Sequence, residues 1–230
     1  MGMFLALAGV IGKSQADVEK SLSVYMQSTG GSFIRETVDQ DHEDWSVIGE
    51  ANGNTTIYYP NSLMQWDKVS EHLSRDLNTA VFSCHIHDGD LWMYVLFVNG
   101  QTEDQFNPIP DYWGELDEAE IDLWRGNAKT VAQHVPGLKP ASIAKYLTRW
   151  NLDETDVKAY PDDQYGQEDW QLLDFLGKLR LPYPLDDDGN ANGTVYRFHP
   201  AREDGAYHAA PADRHVGKPL ETSKPWWKFW

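Results

Sequence analysis

Residues 81–107, VFSCHIHDGDLWMYVLFVNGQTEDQFN, constrain the fold more than any other part of the chain. They read as three antiparallel strands joined by tight turns at Asp88-Gly89 and Asn99-Gly100. Asp-Gly and Asn-Gly supply the positive φ angles that a two-residue type I′ turn needs. Pairing across the first turn sets His87 opposite Asp90, His85 opposite Trp92 and Ser83 opposite Tyr94. Pairing across the second sets Glu103 beside Leu96, Gln105 beside Tyr94 and Asn107 beside Trp92. Directly opposed residues point to the same side of a sheet. One face is then polar and aromatic together, with Ser83, His85, His87, Asp90, Trp92, Tyr94, Glu103 and Gln105. The other holds Phe82, Cys84, Ile86, Leu91, Met93 and Val95, an ordinary core. A slip of one residue exchanges the two sets, so the division depends on both turns having two residues.

Upstream, residues 3–11 form an apolar run that reads as a well-buried strand. Ser14 and Asp17 have the spacing of a capping box, and Val18, Leu22, Tyr25 and Met26 follow helical spacing up to Gly30-Gly31. Residues 32–38 are rich in strand formers, and residues 39–44 form an acidic loop. Residues 55–59 are a short strand ended by Pro60. Ser62 and Gln65 fit the start of a second helix carrying Leu63, Trp66, Val69, Leu73 and Leu77. Two β-α-β units in succession predict an α+β fold, a ferredoxin-like sandwich extended by the antiparallel meander. That sandwich spans residues 1–112. Residues 113–185 read as a small helical region packed on it, with Pro140 opening one helix and Leu172, Leu173, Leu176 and Leu179 lining another. Residues 186–230 read as an acidic loop and an irregular tail ending in Trp226, Trp227, Lys228, Phe229 and Trp230.

The formal net charge is −17 over 230 residues, with 36 Asp and Glu against 19 Lys and Arg. Sequence-independent binding to nucleic acid or to an anionic membrane needs a basic surface, so both are excluded as expectations. A basic protein partner is compatible. Residues 195–230 carry six Lys and Arg and four Asp and Glu, a net of +2, which leaves −19 for the rest. The single cysteine, Cys84, permits no intrachain disulfide and fits a reducing, cytoplasmic setting. The apolar N-terminal run lacks the basic flank and cleavage site of a signal peptide and is too short to span a bilayer.

Two functional readings follow. In the first the chain is not an enzyme and needs no cofactor. It binds another protein, as an acidic inhibitor or immunity-like protein does a basic toxin. The binding residues would be Ser83, His85, Trp92, Tyr94, Glu103 and Gln105 on the meander, and Trp226, Trp227, Phe229 and Trp230 in the tail, since Trp and Tyr among polar groups suit protein interfaces. In the alternative, His85 and His87, two apart on one strand, join Asp90 across the turn as a two-histidine, one-carboxylate site for a divalent transition metal, with Glu103 nearby. That arrangement would be a metal-dependent hydrolase. Other catalytic patterns fail. The run Asp186-Asp187-Asp188-Gly189-Asn190 lacks glycine and glutamate at the sixth and twelfth positions of a calcium loop. No nucleophile elbow or glycine-rich phosphate loop is present.

Overall fold

The structure, a computed structural model, describes residues 4–36, 45–89, 91–150, 160, 162, 170–186 and 189–199. Its first strand, β1 (Leu5–Val10), is buried along its whole length. Alternate residues therefore feed two cores, as a strand covered on both faces must. Leu5 and Leu7 enter one, and Ala6, Ala8 and Val10 the other. Gly9 lets Leu181 pack against the strand, since a Cβ there would lie 2.3 Å from a methyl carbon of Leu181.

Helix α1 (Gln15–Ser28) starts at the expected capping box. The Asp17 N–H donates to Ser14 Oγ at 3.2 Å, and the Ser14 N–H donates back to Asp17 Oδ2 at 3.4 Å. Val18, Leu22 and Met26, four apart, form its buried stripe. Strand β2 (Ser32–Arg35) follows. Next come β3 (Trp45–Ala51) and β4 (Asn54–Tyr59), a hairpin closed by Asn52 and Gly53 at φ +55° and +74°. Helix α2 (Trp66–Asp76) leads to the meander β5 (Ala80–His87), β6 (Leu91–Val98) and β7 (Gln101–Phe106). Four short helices follow: α3 (Glu118–Asp122), α4 (Ala128–His134), α5 (Pro140–Ile143) and α6 (Trp170–Lys178). Strand β8 (Thr194–His199) then returns to the sheet.

The architecture is mixed α+β. Among the described residues, eight strands form one antiparallel sheet in the order β2-β8-β3-β4-β1-β5-β6-β7. Helices α1 and α2 cover one face, packing Leu22, Met26, Trp66, Val69 and Leu73 on Ala8, Ile57, Tyr59 and Val81. Residues from α4 to α6 cover the other, packing Val131, Ile143, Tyr146, Phe175 and Leu176 on Leu7, Phe82, Trp92, Tyr94 and Phe106.

Two elements differ from the sequence expectation. Residues 45–51, given no strand in the sequence reading, form β3 and pair with β4. The segment after residue 186, expected to be irregular, contributes β8, which lies between β2 and β3. The acidic loop at residues 39–44 falls within 37–44, outside the described residues. So do Asp90 and the tail residues Trp226, Trp227, Phe229 and Trp230.

Candidate functional site

The register of β5 on β6 corrects the expected face. His87 pairs with Leu91, His85 with Met93 and Ser83 with Val95, while Ile86 pairs with Trp92 and Cys84 with Tyr94. Three residues, 88–90, connect the strands instead of two, so Trp92 and Tyr94 change sides relative to His85. The physical reason lies in β6 itself. LWMYVLFV is apolar at every position, so a strand covered on both faces gives its hydrophobic pattern no power to choose a register. What decides is where the large rings pack. The Trp92 and Tyr94 rings lie 5.2 and 5.4 Å from the Phe175 ring of α6, the second stacked at 11°.

The second turn has the expected two residues, with Val98 paired to Gln101. An irregularity between Leu96 and Phe97 then shifts the pairing, so Leu96 faces Asp104, Val95 faces Gln105 and Tyr94 faces Phe106. Bulges of this kind displace every later residue by one. Phe106 thereby takes the place beside Tyr94 expected for Gln105, and Asp104, two residues earlier on the same face, accepts from the Tyr94 hydroxyl through Oδ2 at 2.6 Å. Glu103 is exposed, 3.7 Å from His134 Nε2. Gln105 is half-buried. The expected binding residues on the meander are thus divided between two cores and an edge strand.

Ser83, His85 and His87 do share a face, turned toward α2. Asp67 on the first turn of α2 is 4% exposed, and its Oδ1 accepts from Ser83 Oγ at 2.6 Å. Asp67 Oδ2 is buried and has no hydrogen-bond partner among the described residues. Burial pushes the Asp67 carboxyl up to about 6, against the opposing pull of the Ser83 hydrogen bond. His85 is 6% exposed and stacks on Trp66, with centroids 4.9 Å apart and planes at 18°. Burial first, then His87, pushes its imidazole down to about 4, opposed by a backbone hydrogen bond at Leu5. His87 lies 6.0 Å from His85 and is surrounded by the rings of Phe4, Tyr112 and Trp113. Among the described residues no three His, Cys, Asp or Glu side chains stand close enough to hold a metal ion. The third expected ligand, Asp90, is outside them. Cys84 is fully buried, and burial, then the Asp67 charge, push its thiol up, so it is not an activated nucleophile.

The sequence reading passed over Asp67, although it carries a signal. Residues 66/67, 69/70 and 73/74 occupy one arc of the helix, and the second member of each pair, Asp67, Ser70 or Ser74, is a polar residue on an otherwise apolar, buried stripe.

The exposed chemistry is elsewhere, on the segment that carries α3. Asp117 caps this helix by accepting from the Glu120 N–H at 2.9 Å, and Glu120 Oε2 accepts from the Asp117 N–H at 2.9 Å. Glu115, Asp117, Glu118, Glu120 and Asp122 are all exposed. Leu123, at the end of the same ridge, is 63% exposed, the most exposed large apolar side chain among the described residues.

No helix among the described residues is long and apolar enough to cross a membrane. No family model matches the chain, and neither a curated protein nor a solved structure matches it.

Proposed function

We propose that this protein works by binding a basic protein, and that the α3 ridge is the docking surface. The observation that carries this reading is Leu123, 63% exposed beside a row of exposed carboxylates, in a chain of net charge −17. An apolar anchor flanked by charge is a common interface pattern, with the carboxylates steering a cationic partner and the leucine losing water on docking. An acidic inhibitor or immunity-like protein for a basic toxin is the concrete form. The cytoplasm is the proposed compartment, supported by the single buried cysteine. We read the core as ferredoxin-like. Its support is the succession β1-α1-β3-β4-α2-β5, interrupted by β2 after α1, whose strands lie in the order β3-β4-β1-β5 with α1 and α2 over one face.

The test is differential capture. Immobilised wild type and a Leu123→Ser, Glu118→Lys, Glu120→Lys variant are exposed to lysate of the source cells. A basic protein held by wild type at about 0.15 M salt, released at about 0.5 M salt and not held by the variant is the expected result. Equal retention by both proteins would remove the ridge from consideration.

A further inference from the structure

A cleft of about 420 Å³ opens between the end of β7 and the segments that follow α3 and α5. That size lies within the range of small-molecule sites. Phe106, 1% exposed, belongs to its floor, and Ile121, Trp124 and Leu147 supply apolar walls. Among the described residues, the charged ones lining it are Arg125 and Arg149, and no carboxylate lines it. This sign is unusual here, because acidic residues outnumber basic ones 36 to 19 along the chain.

Both guanidiniums are held from outside the cleft. Arg125 Nε is 2.7 Å from Asp122 Oδ1, and Arg149 Nη2 donates to Asp111 Oδ2 at 3.0 Å. A guanidinium carries five N–H donors in a planar fork, so each ion pair leaves further donors for an oxyanion. The backbone of the cleft is set independently of any ligand. The Asn107 N–H donates to Trp124 O at 3.0 Å and the Gly126 N–H to Gln105 O at 2.9 Å. Gly126 sits at φ +67°, and a Cβ there would meet Phe106 at 3.1 Å and the Tyr94 hydroxyl at 3.2 Å. The wall carrying Trp124 and Arg125 is thus stitched to β7, and the two arginines reach the cleft from different parts of the chain.

We propose that this cleft binds a small organic anion, with a carboxylate or phosphate head between Arg125 and Arg149 and a flat apolar body against Trp124, Phe106 and Leu147. The apolar walls give area and the guanidiniums give orientation, since charge-assisted hydrogen bonds to Arg are the stronger kind. The site is separate from the proposed protein-docking function, and its test uses the chain alone.

The test titrates the full chain with 3-phenylpropionate, with its uncharged amide 3-phenylpropionamide, and with phenyl phosphate, by calorimetry. The expected result is saturable binding of at least one anion, about tenfold or more tighter than the amide. The Arg125→Gln, Arg149→Gln double variant should melt as wild type does and bind the acid no better than the amide. The tighter of the two anions identifies the head group. Equal binding of acid and amide, undiminished anion binding in the double variant, or no saturable binding of either anion would overturn the proposal. Should the double variant melt lower than wild type, the acid-against-amide comparison on the wild-type chain decides alone.

Discussion

Tyr94 and Ser83 stand on neighbouring strands, yet one faces the α4–α6 layer and the other faces α2. On the Tyr94 side, polar tips end on groups that have other support. Asp104 Oδ2 accepts from the Tyr94 hydroxyl at 2.6 Å and from the Asn127 N–H at 3.0 Å, at a half-buried position. Trp92 Nε1 donates to Gln171 Oε1 at 3.4 Å. On the Ser83 side, Asp67 accepts one hydrogen bond and keeps a buried oxygen with no partner among the described residues. The difference teaches that one face binds the layers through ring packing, while the other contains a titrating seam. Buried polar groups cost little when shared among donors and much when they are not.

The largest expected effect breaks the ring-packed face. Phe175, fully buried, meets Phe82, Trp92, Tyr94 and Tyr146. Phe175→Ala should cost about 3–5 kcal/mol in denaturant unfolding, as expected for a buried aromatic. A loss below about 1 kcal/mol would mean that α6 does not hold the two layers together.

Next in size is the pH behaviour of the seam. Asp67 has its folded pKa raised from 3.8 to about 6, so its contribution is fully present below 3.8 and falls as pH rises to about 6. His85 has its folded pKa lowered from 6.5 to about 4, so its contribution is present above 6.5 and falls as pH drops to about 4. The two slopes oppose each other between about 4 and 6, and together they leave the wild type nearly flat there. Removing one partner exposes the other. Asp67→Asn should gain stability with rising pH across that window, and His85→Gln should lose it, each by about 1.4 kcal/mol per pH unit at most. Unfolding curves at four or five pH values check this. Parallel profiles for wild type and both variants would show that neither group titrates inside the fold. Near pH 7, Asp67→Asn should also be the more stable protein, by on the order of 1–3 kcal/mol, because it buries no charge.

Tyr94→Phe should cost only about 1 kcal/mol, since Asp104 keeps the Asn127 N–H and sits where water reaches it. A cost equal to that of Phe175→Ala would erase the contrast between shared and unshared polar groups. Smallest of all, Leu123→Ser should leave the melting temperature almost unmoved, within about 0.5 kcal/mol, because the side chain is exposed.

Local chemistry was legible wherever a side chain answers its own backbone. The Ser14–Asp17 capping box, Pro140 at the start of α5 and the turn at Asn99-Gly100 all appear where their residues predict. The turn at Asn52-Gly53 carries the same signal and would have located β3. Likewise Thr194 to His199, an aromatic and β-branched run between Gly193 and Pro200, has the composition of a strand. The face of β6 was beyond local reading, because LWMYVLFV is apolar at every position and the packing on the distant Phe175 breaks the tie. Of the candidate site, the exposed carboxylates were visible as charge. The Arg125–Arg149 cleft was not, because its residues come together only when residues 121–126 stitch to β7.

The placement of β8 has a kinetic consequence. Ser32 to Arg35 pairs with β8, and β3 pairs with it on the other side, so one edge of the sheet waits for a segment far downstream in the sequence. Contacts of such long sequence separation slow folding more than they weaken the final state. On the ribosome the central strands can assemble early, with the outward edge of β3 unpaired until residues 194–199 emerge. For that interval the nascent protein presents a strand edge bearing Val47 and Ile48, an unpaired edge of the kind prone to misassociation.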